Sequence, residues 1–102
     1  MGNRYMPAET ITATGATITT SGTSASVSIP NCANGVKPLY IRVAATVAAY
    51  VKLGKTTATA VAGDVLIQPG DSLVLSTNGL DVIAAIQVAA AGVVQVSPLD
   101  NM

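Results

Sequence analysis

Asp64-Val65-Leu66-Ile67-Gln68-Pro69-Gly70-Asp71-Ser72-Leu73-Val74-Leu75-Ser76-Thr77-Asn78-Gly79 reads as two short strands, each followed by strong turn chemistry. Pro69-Gly70 fits a type II turn, which favours proline at its second residue and needs positive φ at its third. Ser72 to Ser76 alternates polar and apolar residues, as a half-buried strand does. Asn78-Gly79 is the strongest short hairpin signal a sequence offers.

The same pattern extends in both directions. In Leu39-Tyr40-Ile41-Arg42-Val43-Ala44, Leu39, Ile41 and Val43 share one face, and Tyr40 and Arg42 share the other. Ala48-Ala49-Tyr50-Val51-Lys52-Leu53 repeats it, with Val51 and Leu53 inward and Tyr50 and Lys52 outward. If these two strands form a hairpin, Tyr40/Arg42 and Tyr50/Lys52 meet as cross-strand pairs. Gly54-Lys55-Thr56-Thr57 then breaks the run, and Pro30 to Pro38 is a loop. Ser24 to Ile29 alternates, and Thr10–Ala13 and Ala16–Thr20 are shorter strands of the same kind, with disorder as the alternative for this Thr/Ser-rich tract. Val82–Val88 and Gly92–Ser97 complete the series. Asp81 as N-cap, the Ala-rich run and Gly92 beyond it leave a helix open for residues 81–92, but β-branched Val82, Ile83, Ile86 and Val88 favour strand. The sum is an all-β chain of seven to eight short strands, an antiparallel β-sandwich or jelly roll. An extended N-terminal arm occupies residues 1–9, the sandwich 10–99 and a short tail 100–102.

Composition narrows function by exclusion. Five basic and five acidic residues in 102 give zero net charge, and half the chain is apolar. Most of that half is Ala and Val, with no Phe or Trp, so the core must be built from small aliphatic side chains. Nucleic acid and anionic lipid both require clustered Lys and Arg. Here Arg4, Lys37, Arg42, Lys52 and Lys55 are scattered, so neither partner is expected. No apolar run reaches the ~18 residues of a membrane helix, and residues 1–9 hold no leader-like apolar segment. With low charge and high apolar content, the chain is expected to pack against copies of itself or against partners.

No catalytic constellation emerges. His is absent, which removes the commonest general base and metal ligand. Asp64 and Asp71 flank the Pro69-Gly70 turn, so a carboxylate pair or a calcium site has to be weighed against plain loop capping, and capping is favoured. Asp81 after Asn78-Gly79 has the same reading. Gly54-Lys55-Thr56 lacks the upstream glycine of a phosphate loop. Cys32, the single cysteine, is expected to be a small buried hydrophobe. The expectation is no enzyme, no cofactor and no metal.

Tyr40-Ile41-Arg42-Val43-Ala44, Ala49-Tyr50-Val51-Lys52-Leu53-Gly54, Leu66-Ile67-Gln68-Pro69-Gly70-Asp71 and Ile83-Ala84-Ala85-Ile86-Gln87 together resemble small β-sandwich virion proteins of tailed bacteriophages. The likeness spans residues 38 to 98, and the Thr/Ser-rich N-terminal third carries none of it. The resemblance implies a capsid decoration or cement subunit on the virion surface, assembled in the host cytoplasm. Its partners would be the major capsid protein or other virion proteins, with homo-oligomers, a trimer among them, as in related cement proteins. A head–tail connector, or a tail- or fibre-associated receptor- or carbohydrate-binding module, is the alternative. Candidate partner contacts are Arg4, Tyr5, Met6 and Pro7 in the arm, the outward pairs Tyr40/Arg42 and Tyr50/Lys52, and Leu99 near the end.

Overall fold

The computed structural model describes residues 11, 13–33 and 35–99. Eight strands follow one another: β1 (Ala16–Thr19), β2 (Ala25–Ser28), β3 (Tyr40–Ala45), β4 (Ala49–Gly54), β5 (Val65–Ile67), β6 (Ser72–Ser76), β7 (Val82–Gln87) and β8 (Val93–Pro98). They form two antiparallel four-stranded sheets, in the order β1-β8-β3-β6 and β2-β7-β4-β5. Four pairs, β1 with β8, β2 with β7, β3 with β6 and β4 with β5, are those of one long hairpin. Rolled up so that β8 meets β3 and β7 meets β4, that hairpin gives the jelly-roll order.

Alternation decides which side chains meet between the sheets. Ile18, Ile41, Val43, Val94 and Val96 face Ile29, Ala49, Val51, Ile67, Ile83 and Ala85 across a core cluster that contains no aromatic ring. Nearly all are β-branched or Ala, so the core is low in volume but stiff at χ1. Residues 81–92 hold strand β7, not a helix. Cys32 is buried, and its thiol donates to the Leu99 carbonyl at 3.2 Å.

Two expectations about pairing are overturned. β3 and β4 do not form a hairpin: they lie in different sheets, β3 beside β6 and β8, β4 beside β5 and β7. Each strand's apolar face is satisfied by the opposing layer, and residues 46–48 carry the chain across. Asn78-Gly79 adopts its left-handed pair, φ 50° and 82°, and Leu80 N–H closes the turn on Thr77 O at 2.8 Å. Yet the turn joins β6 to β7 across the sandwich and closes no ladder between them. Gly70 takes φ 88° and Asp71 N–H donates to Gln68 O at 3.1 Å, the expected type II geometry. Of the proposed strand Thr10–Ala13, residues 10 and 12 fall outside the described residues, and Ile11 and Ala13 are not in a strand. The arm 1–9 and the tail 100–102 likewise lie outside them.

Candidate interaction surfaces

The outer face of the β1-β8-β3-β6 sheet is set by register. Thr17, Gln95, Ala44 and Ser72 stand in one row, and Ser97, Arg42 and Val74 in the next. Tyr40 and Ser76 begin a third row. Arg42 is the one charge in these rows; Tyr40 and Val74 are each about half exposed, whereas Ser97, whose Oγ accepts from Gln95 Nε2 at 2.7 Å, is buried. Ala and Val carry no desolvation cost against a neighbour, and small hydroxyls cost far less than charges provided that they find a hydrogen-bond partner there.

The opposite face is partly covered by the chain itself. Ala84 sits between Lys52 of β4 and Ser26 of β2 and points outward with them, yet it is fully buried. The β4–β5 connection explains this. Asp81 N–H donates to Gly54 O, and Thr56 N–H donates to Asp81 Oδ1 at 2.7 Å. Further on, buried Ala60 gives its N–H to Ser24 Oγ at 2.8 Å, so the connection crosses β7 to reach β2. Tyr50 and Lys52 lie beside this strap, on the side of the molecule away from Tyr40 and Arg42. The structure therefore separates the two outward pairs instead of joining them. Leu99 is 3% exposed and gives its N–H to Tyr40 O. It closes the core, which leaves its side chain nothing to offer a partner. Arg4, Tyr5, Met6 and Pro7 lie outside the described residues.

Two of the carboxylates, Asp64 and Asp81, serve loops. Asp64 Oδ2 accepts the Val61 N–H at 2.8 Å, and its Oδ1 lies 4.0 Å from Lys52 Nζ, a long, partly exposed pair worth little. No group of three or more Cys, Asp or Glu capable of holding a metal occurs among the described residues. The Thr56 N–H bond, helped by Lys37 and Lys55, holds the Asp81 carboxyl below its ordinary value. A carboxylate depressed on folding contributes stability that is present above its unfolded pKa and lost as pH falls through its folded one. Melting temperature should therefore drop on acidification below the usual Asp range, and Asp81→Asn should flatten that part of the curve. Equal slopes for both proteins would show that the strap is not anchored through this charge.

The two sides of the sandwich differ. β1 and β2 lie against each other and close one side, while β5 and β6 stay further apart. Val65 shares the inner face with Val51 yet is 51% exposed. Between the two strands lies a groove of about 480 Å³ with Val51, Leu53, Val65 and Leu75 as apolar lining and Lys52, Asp64 and Ser76 at its rim. A smaller hollow of about 100 Å³ lies at the loops, between Ile29, Pro38, Leu39 and Leu80. Sequence reading missed the groove, because exposure of an inward residue depends on how far two edge strands separate.

Fold and surface together define an eight-stranded jelly-roll domain with one nearly uncharged, partly exposed face and one open side. Comparison with models of protein families, with curated proteins and with solved structures finds no match for this chain.

Proposed function

We propose that the chain is a non-enzymatic structural protein of a tailed-phage particle, a decoration or cement subunit that bridges capsid proteins at the virion surface. The observation that carries this reading is the outer face of the β1-β8-β3-β6 sheet, whose register rows hold Arg42 as their only charge. Such a face is suited to being covered, and repeated attachment over many copies offsets weak single contacts. The jelly-roll order, shared by many viral coat domains, and the likeness of residues 38–98 to phage virion proteins point the same way. Mass spectrometry of purified particles tests it: a copy number near that of the major capsid protein is expected, and absence from the particle would end the proposal. Within such particles, Tyr40→Ala with Arg42→Glu should lower occupancy without lowering the melting temperature of the free protein, since both side chains leave the core.

A tail- or fibre-borne binding module is the second reading. Lectin domains share this architecture, and Tyr40, 52% exposed beside Leu39 at 59%, offers a ring for a sugar to stack on. A low copy number with glycan-array binding that Tyr40→Ala abolishes would favour it over cement.

A further inference from the structure

We infer that β6 pairs antiparallel with β6 of a second copy, about a two-fold axis through Val74. This goes beyond a virion role, because the pairing is a property of the purified chain and stands or falls without a particle.

The first ground is the strand's sequence. Ser72-Leu73-Val74-Leu75-Ser76 is a palindrome. Antiparallel self-pairing centred on Val74 sets Ser72 against Ser76, Leu73 against Leu75 and Val74 against itself. A two-fold interface requires such self-complementarity.

The second ground is hydrogen-bond parity. Thr77 N–H donates to Leu39 O, so Thr77, Leu75 and Leu73 turn their backbone groups toward β3. Alternation then directs the N–H and C=O of Ser72, Val74 and Ser76 away from the sheet. These are the residues that the palindrome brings opposite one another, as Ser72–Ser76, Val74–Val74 and Ser76–Ser72. Each becomes a bonded pair exchanging two hydrogen bonds. A register slipped by one residue, which sets Val74 against Leu73 or Leu75, would lose that parity as well as the side-chain match.

The third ground is what the pairing covers. β6 carries no Lys, Pro or charge, the devices by which edge strands are normally kept single. Leu73 and Leu75 point inward but are only partly buried, and Leu75 lines the groove that β5 and β6 leave open. In the pair, Leu73 of one copy meets Leu75 of the other on the inner face, and the two grooves close over each other. The other edges have less to gain. β1 and β2 lie against each other on the closed side, with Ile18 buried there, and β5 is three residues long between Asp64 and Pro69.

Light scattering on the purified full-length chain tests this, together with amide exchange read residue by residue. The expected mass is twice 10.1 kDa. Val74→Lys, which places two like charges on the axis at an exposed site, should shift the protein to monomer with its melting curve intact. Should that variant fail to fold, amide exchange of the unaltered protein decides. The Ser72, Val74 and Ser76 amides should be protected at high concentration and exchange freely on dilution. A monomeric or trimeric chain, a dimer that survives Val74→Lys, or concentration-independent exchange at those amides would overturn the inference. None of these results would touch the virion reading, which rests on particle composition.

Discussion

Ile83→Ala should cost about 4 kcal/mol, toward the upper end for a buried aliphatic truncated to Ala. Ile83 is fully buried on β7, between Val27 of β2 and Leu53 of β4. The size of the loss depends on how far the neighbours can slump into the void, and here they have little freedom. Apart from the partly buried Leu53, Leu73 and Leu75, the core around it is Ile, Val and Ala, with stiff β-branched χ1 angles and no aromatic ring to tilt into the gap. A domain of this size is stable by about 5–15 kcal/mol in total, so a large share is lost, and the melting temperature should fall by roughly 20 °C. Ile83→Val, which removes one methylene, should cost only about 1 kcal/mol. Urea denaturation checks both through the midpoint at unchanged slope. Similar losses for the two variants would mean that the core relaxes around small cavities and is not rigid.

That rigidity bears on what the sequence could reveal. Strand β6 was legible to the residue, and both turns around it took the predicted backbone signs, because alternation and turn propensity are local properties. Partners were not legible. The Asn78-Gly79 turn has hairpin dihedrals, but β6 pairs with β3 and β7 with β2 and β4. Burying both apolar layers against each other outweighs the local preference of the link. The strand-or-helix ambiguity at residues 81–92 has an equally physical cause. Val82 to Ala85 are buried in succession, because the β4–β5 strap covers the face that would otherwise be polar. The period-2 signal disappears wherever a strand is covered on both sides. For the candidate surface, the outward Tyr40/Arg42 and Tyr50/Lys52 pairs were read correctly, but their separation onto opposite faces was not, since it follows from sheet assignment alone. Leu99 looked terminal and available, yet it is drawn into the core beside Cys32.

The strap also supplies the second large effect. Gly54→Ala should destabilise by about 3 kcal/mol, the upper end for overpacking. A Cβ at Gly54 would collide with Thr57 O and stand 2.8 Å from Ala58 Cβ. Rotation of a flexible side chain can relieve neither contact, because the nearer atom is backbone. The strap must lift off β4. Lifting it breaks the Thr56–Asp81 and Ala60–Ser24 hydrogen bonds and opens Ala84 to water. Substituting Gly63, where no atom lies within 4 Å, creates no such collision and costs only its backbone strain at φ 101°. Lys55 lies within the strap and is exposed, so trypsin offers a direct readout. Cleavage after Lys55 should be slow in the unaltered protein and fast in Gly54→Ala at a temperature where both remain folded. If the melting temperature and the tryptic rate were both unchanged, the strap would not be seated on Gly54. The covered face beside Tyr50 would then be as open as the one beside Tyr40.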